Sequence, residues 1–421
     1  MIDEFELIRR YFTRPAPAKP MASLASIATA SSDATASSDA TGSSDATASS
    51  IAPASSDATA SSIAPASSIA AVALNAVPAG GASGLASAVL GIGDDCALLA
   101  PRPGFELALS TDMLVEGRHF LAGADPQSLG HKTLAVNLSD CAAVGATPRY
   151  ALLAGALPDA DPSWLSAFSR GLFDLADQYG VELIGGDTTR GPRVLCVTII
   201  GEVPAGQALL RSGAVVGDTV WISGELGSAA AGLALLQRSS ANLARVRGAI
   251  GPEQSEKSPD TDLALSRITQ AERADAVAAL ERPDPRVALG VALLTVATSA
   301  IDVSDGLVGD LGHILERSNV GAEIELARIP CRPWIRALLG SARTRDDALR
   351  WIIAGGDDYE LCFTAPAARN DDVLAAGRAA GVAVTPIGRI VEGDALHIFD
   401  EQGERMPRSG LRAFDHFAEF R

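Results

Sequence analysis

Hydrophobic and polar positions divide this chain into two regimes. From residue 89 onward, short apolar runs alternate with longer segments whose apolar residues recur every three or four positions, the patterns of strands and of helices. The runs predict strands at 105–109, 150–157, 181–184, 194–203, 219–223, 384–390 and 395–399, and another that ends within 300–306. Helices are expected at 125–144, 164–179, 228–236, 286–297 and 307–317. The first of these is well marked. Asp125 suits an N-cap, Pro126 the first turn, and Gly145 a stop. Residues 239–285 read as polar and irregular, with a mobile loop. Such alternation points to an α/β (α+β) fold.

Residues 16–88 lack this alternation. The units Ser-Ser-Asp-Ala-Thr-Ala and Ser-Ser-Ile-Ala-Pro-Ala recur between Ser31 and Ser68. No Lys or Arg occurs between Lys19 and Arg102, and no aromatic residue between Phe12 and Phe105. Side chains this small cannot bury enough surface to offset the entropy of ordering, so a disordered low-complexity insert is expected. Residues 1–14 mix Phe5, Leu7, Ile8, Tyr11 and Phe12 with charges and predict a short helix. They have no apolar core followed by a cleavage site, so no secretory signal is read there.

The helix 125–144 carries the first chemical hint. Leu134, Leu138 and Cys141 form an apolar stripe, and Thr133, Asn137 and Asp140 recur along a second face. Asp140 lies among apolar neighbours, where a carboxylate is costly to bury unless it is paired or holds a metal. Further acids recur beside glycines and at expected strand ends. These are Asp95 in Gly91-Ile92-Gly93-Asp94-Asp95, Asp112 in Ser110-Thr111-Asp112, Asp187 after Gly185-Gly186, Asp302 and Asp305, and Asp357 after Gly355-Gly356. Hydroxyl and carboxylate oxygens suit a hard cation such as Mg2+. The paired glycines would let backbone amides approach a phosphate, and Arg211 is a candidate phosphate clamp.

Charge and cysteines narrow the class. A net charge of −17 argues against a nucleic-acid groove. It leaves phosphate ligands open, because bound cations reverse the local sign. The five cysteines include no CxxC pair, so neither a zinc site nor a disulfide framework is indicated, and a reducing cytoplasm fits. No apolar run is long enough to span a bilayer, and no P-loop motif occurs.

Seven motifs, in order, carry a family resemblance: 91–99 (GIGDDCALL), 110–120 (STDMLVEGRHF), 134–146 (LAVNLSDCAAVGA), 183–191 (LIGGDTTRG), 211–218 (RSGAVVGD), 300–315 (AIDVSDGL and GDLGHIL) and 355–363 (GGDDYELCF). Together they resemble the thiamine-monophosphate kinase family, within the aminoimidazole-ribotide-synthetase-like superfamily. The resemblance covers residues 1–14 and about 89–421 and implies a two-domain AIR-synthetase-like fold. An N-terminal helix (1–15) and the insert (16–88) would precede an N-terminal mixed-sheet domain (89–217), which binds ATP and Mg2+ and forms a homodimer. A C-terminal α/β domain (218–421) would follow. The implied reaction is transfer of the γ-phosphoryl of ATP to thiamine phosphate in the cytoplasm, assisted by several Mg2+ ions, with no nucleic acid or membrane involved.

By position, the implied metal ligands are Asp95, Ser110, Thr111, Asp112, Asp140, Asp187, Asp302 and Asp305, with Asp140, Asp187 and Asp305 also catalytic. ATP would meet Gly186, Arg211, Ser304 and Tyr179; thiamine phosphate would meet His119, Asp357 and Phe414. Position 357 is usually Glu in the family, and position 414 Tyr or Trp. The alternatives are another ATP-dependent enzyme of the superfamily, or a nucleotide-sensing scaffold without turnover.

Overall fold

The computed structural model describes residues 7–13, 88–246 and 259–407. Residues 16–87 of the expected insert, and Phe414, lie outside them. Of the expected first helix, Ile8–Phe12 forms a π-helical turn whose Phe12 meets Phe168 edge-on at 6.3 Å.

The first sheet has four strands: β1 (Phe105–Val115), β2 (Thr147–Leu157), β3 (Glu182–Arg190) and β4 (Val194–Pro204), with α1 (Pro126–Val144) and α2 (Pro162–Tyr179) between them in sequence. Their spatial order is β1-β4-β2-β3, parallel only between β2 and β3. The second sheet holds β5 (Asp218–Ser223), β6 (Ser299–Val303), β7 (Gly321–Glu325), β8 (Glu360–Pro366), β9 (Val384–Val391) and β10 (Leu396–Phe399). Its order is β10-β7-β9-β5-β8-β6, parallel only between β10 and β7. Helices α3 (Ser228–Val246), α4 (Pro259–Ser266), α5 (Gln270–Glu281), α6 (Val287–Leu293), α7 (Leu307–Ser318), α8 (Pro333–Leu338), α9 (Arg345–Leu349) and α10 (Asn370–Ala380) accompany it. The fold is thus a mixed α/β architecture of two sheets. Because both are largely antiparallel, the rule that ligands gather at the carboxyl ends of parallel strands has little purchase here.

Helix α1 is the hub. It packs on β1, β2 and β4 of one sheet, on β6 and β8 of the other, and on α2 and α6. Its caps are those expected: Asp125 accepts from the Ser128 amide at 2.8 Å, and Gly145 closes the helix at φ 72°. Its polar stripe does not face solvent. Thr133 and Asn137 are buried like Leu134 and Leu138, because protein covers the helix on every side. Thr133 returns its hydroxyl to the Leu129 carbonyl, and Asn137 accepts from the Asp112 amide, so neither is left unsatisfied.

Glycines set how close the neighbours come. A Cβ on Gly130 of α1 would stand 2.0 Å from the Phe168 carbonyl oxygen, and one on Gly171 of α2 1.8 Å from that of Gln127. The two helices meet backbone to backbone.

Four expectations need correction. Strand β1 does not end at residue 109, because its ladder with β4 runs unbroken from Phe105↔Pro204 to Val115↔Val194, with Ser110, Thr111 and Asp112 inside it. The alternation there does not mark the buried side, since Leu114 and Ala108 share the inward face with polar residues. Leu107, Leu109 and Met113 point outward and are exposed, while Ser110 and Asp112 face α1. Strand β3 likewise continues through Gly185-Gly186-Asp187 instead of ending before them. Of the stretch 239–285, with its expected mobile loop, residues 247–258 lie outside the described residues; the rest holds the end of α3 and all of α4 and α5, and α5 opens with a capping box between Thr269 and Glu272. Helix α6 is shorter than expected, since the Val296 and Ala297 amides both turn back to the Leu293 carbonyl before β6 begins.

Candidate active site

Polar residues of β1 and α1 meet Asp302 of β6 where the two sheets close on α1. Ser110 donates to Asp140 Oδ2 at 2.5 Å, and Ser139 donates to Asp302 Oδ2 at 2.8 Å. Successive residues of α1 therefore address opposite sheets. Asp310, in the first turn of α7, accepts from the backbone amides of Ser304 and Asp305, each at 3.1 Å. A cleft of about 430 Å3 opens onto this group and is lined by Ser110, Asp140, Arg211 and Asp302.

Electrostatics mark these acids as one cluster. Asp112 is pushed up to about 6 from 3.8, first by burial and then by Asp140 and Asp305. Burial raises Asp302 to about 8, with repulsion from Asp140 adding to it and the Ser139 hydroxyl opposing it. Asp310 rises to about 7, again chiefly through burial. Asp140 is also raised by burial, held back by the Ser110 hydroxyl and the charge of Arg211. A carboxylate raised by burial and like charge is one that a cation would ionise.

The donor set fits Mg2+ in kind, since it offers oxygens only. Among the described residues no three His, Cys, Asp or Glu side chains are grouped to hold one ion by themselves.

Beside the cluster runs a strained loop. Asp357 and Tyr359 have φ of 67° and 50°, uncommon for residues with a Cβ. Their amides are tied to the Ser304 and Val303 carbonyls at 2.9 and 2.8 Å. Asp357 Oδ1 accepts from Lys132 Nζ and from the Tyr359 hydroxyl, each at 3.1 Å. Tyr359 feels the charges of Asp112 and Asp302 as well as that of Asp357, so the loop belongs to the same site.

The structure therefore brings together Ser110, Asp112, Asp140, Arg211, Asp302, Ser304, Asp305 and Asp357. Other expected residues stand elsewhere. Met113, Cys196, Ala154 and Asp187 form one row across the sheet, which puts Asp187 on the open face and three strands, about 14 Å, from β1. Thr111 shares that face and pairs with the Thr198 hydroxyl at 2.8 Å. Asp95 is exposed on a turn whose Ala97 and Leu99 pack against the same face. The backbone at Gly186 is shaped by the neighbouring strand, because a Cβ there would stand 1.8 Å from the Leu153 carbonyl oxygen. His119 accepts the Val115 amide on Nδ1 at 3.0 Å. Tyr179 donates to the Pro285 carbonyl at 2.9 Å, and burial followed by Asp284 raises its hydroxyl to about 12. It borders the segment lining a second cleft of about 700 Å3, with Asp284, Arg286, Asp358 and Glu360.

Sequence reasoning missed Lys132, Asp310 and Tyr359. The signal available for the second was an acid five residues after Asp305 in a first helical turn; Lys132, flanked by His131 and Thr133, gave none.

Comparison with known proteins matches this arrangement at two levels. Residues 93–203 match the AIR synthase related protein, N-terminal domain, and 215–401 match the corresponding C-terminal domain. The thiamine-monophosphate kinase of Escherichia coli strain K12 is 44% identical over 329 residues, covering 78% of this chain and 92% of the relative. That of Salmonella typhimurium is 42% identical over 339 residues, with the same coverage. Among solved structures, the thiamine-monophosphate kinase of Stenotrophomonas maltophilia K279a superposes with a TM-score of 0.64 at 44% identity, covering 76% of this chain and 92% of that one. AaThiL complexed with AMPPCP and TMP gives 0.59 at 28% identity, covering 76% and 89%. With both of its domain models matched in order and nearly the whole length of its relatives spanned, the chain belongs to the thiamine-monophosphate kinase family.

Proposed function

We propose that this chain transfers the γ-phosphoryl group of ATP to thiamine phosphate, giving ADP and thiamine diphosphate. One acceptor oxygen attacks the γ-phosphorus as the bond to the bridging oxygen of ADP breaks. The buried cluster of Asp112, Asp140, Asp302 and Asp310 carries this reading. Such a concentration of desolvated carboxylates is unfavourable alone and favourable around cations that accompany phosphates. The acceptor needs no strong general base, since a phosphate monoester loses its second proton near pH 6, on the order of one unit below neutrality.

We assign Ser110, Asp112, Asp140, Asp302 and Asp305 to holding Mg2+ in the cluster, and Asp95, Thr111 and Asp187, which stand on the sheet's other face, to holding Mg2+ outside it. Bound there, Mg2+ would neutralise and align two anionic reactants. Ser110 and Ser139 hold the Asp140 and Asp302 carboxylates in place from either side of α1. Arg211, which lines the cleft, supplies positive charge that Asp140 feels and would contact the nucleotide phosphates. Gly186, Ser304 and Tyr179 are assigned to ATP, and His119, Asp357 and Phe414 to thiamine phosphate.

The open face of β1, with Leu107, Leu109 and Met113 exposed, supports a homodimer through the first domain, which we delimit as 89–217. Replacing Leu109 and Met113 with Lys should convert a dimer to monomer by light scattering; an unchanged mass would place the contact elsewhere. Among the described residues no helix is long and apolar enough to cross a membrane, and we assign the reaction to the cytoplasm.

The direct test is incubation of the purified chain with Mg-ATP and thiamine phosphate, with the products separated by chromatography. Thiamine diphosphate and ADP in equal amounts are expected. ATP binding without product would favour a sensor.

A further inference from the structure

Lys132 is the anomaly of α1. It sits one turn after Gln127 and Ser128, on a helix enclosed by protein, and only 5% of its side chain is exposed. Its ammonium lies 3.1 Å from Asp357 Oδ1. Glu281, at the end of α5, also feels the charge of Lys132. A buried ion pair is a poor device for stability, because desolvating two charges cancels most of their attraction, and an apolar pair of similar volume would serve as well or better. Its retention here calls for a use beyond joining two parts of the fold.

The geometry around Asp357 supplies one. Both contacts of the carboxylate, from Lys132 and from the Tyr359 hydroxyl, reach Oδ1, and 29% of the side chain remains exposed. The carboxylate is thus gripped on one edge and open on another. The backbone beneath it is held at φ 67° by an amide bond to Ser304, and Gly356 is so close to β6 that a Cβ would stand 2.4 Å from the Ser304 carbonyl oxygen. A strained backbone persists only where its surroundings over-determine it, and such positions cluster at binding sites.

We propose that Lys132 is a positioning residue: with Tyr359 it fixes the Asp357 carboxylate in the orientation that receives thiamine phosphate. The inference deepens the functional reading above and rests on it. Lys132 acts through Asp357 and sits on the same helix as Asp140, so the acceptor is registered against the acid cluster by a single rigid element.

Lys132→Met keeps the length of the side chain and removes its charge. It should raise the KM for thiamine phosphate by about tenfold while the KM for ATP stays within about twofold. Asp357→Asn should give the same split, and the double variant should be no worse than either single one, because the two side chains act as a unit. A role confined to clamping the two sheets would lower the melting temperature and move both KM values together; that result, or an acceptor KM that stays put, overturns the proposal. Where Lys132→Met fails to fold, Asp357→Asn decides, and an unmoved acceptor KM there overturns it equally. Turnover by the parent chain separates the two readings. A parent that makes no thiamine diphosphate removes the function and the pair's role with it. An active parent with unmoved variants removes the role alone.

Discussion

Asp140 and Asp187 carry the same expectation, that of a metal ligand, yet the fold treats them oppositely. Asp140 lies under the first sheet on a helix enclosed by both sheets, with Ser110 on its carboxylate and Arg211 within electrostatic reach. Asp187 stands exposed on edge strand β3, on the sheet's other face. The difference separates acids whose ionisation the protein resists from acids already solvated. Only the first kind gains markedly when a cation arrives, because only there is the desolvation cost already met by folding.

The comparison breaks first at Asp140. Asp140→Asn should lower kcat by about 10³-fold, the range seen when one electrostatic element of a transition-state site is removed. The same change should leave the melting temperature unchanged or higher, because it deletes a carboxylate that repels Asp112 and Asp302. Loss of folding, or near-parental turnover, would take Asp140 out of the site. A smaller effect is expected at the solvated acid. Asp187→Asn should cost about tenfold in the apparent affinity for Mg-ATP, with melting unaffected, since an exposed acid contributes little to stability. Titrating Mg2+ in a coupled ADP assay checks it; a loss as large as that of Asp140→Asn would mean that a second copy or the substrate draws Asp187 into the cluster.

The subtlest contrast is in pH. Asp112, Asp310 and Asp302 have folded values of about 6, 7 and 8 against an ordinary 3.8. Between those limits the folded chain holds more protons than the unfolded one, so these groups contribute stability at low pH that is lost as pH rises through their folded values. Without divalent cations, the melting temperature should therefore fall between about pH 5 and pH 8. Saturating Mg2+ should flatten that slope, and scanning calorimetry in chelator and in Mg2+ would show it. Parallel slopes in the two conditions would argue against cation binding at these acids.

Much of this was legible in the sequence, and the failures share a cause. The caps of α1 could be read because Asp125, Pro126 and Gly145 act locally. Asp140 stood out because a carboxylate among apolar helix residues is costly to bury without a partner or a metal. The extent of β1 was not legible, because its inward face mixes Ala108 and Leu114 with Ser110 and Asp112 while Leu107, Leu109 and Met113 stand on the open face, so alternation did not mark the buried side. Lys132 escaped for a related reason, since nothing near it in sequence announces that Asp357 lies opposite. Helices in 239–285 were hidden by their polarity, although the Thr269–Glu272 capping box could have revealed α5.

The bare contact between α1 and α2 gives the site its height. Gly130 and Gly171 leave no room for even a methyl group, so the seating depth of α1 is fixed about 15 Å along the axis from Asp140. Because the helix is rigid, a shim inserted at that crossing would tilt the whole rod and swing Asp140, Ser139 and Lys132 together, with no residue of the pocket altered. A methyl group added at that crossing would thus be felt at the far end of α1, where Ser139 and Asp140 hold their partners.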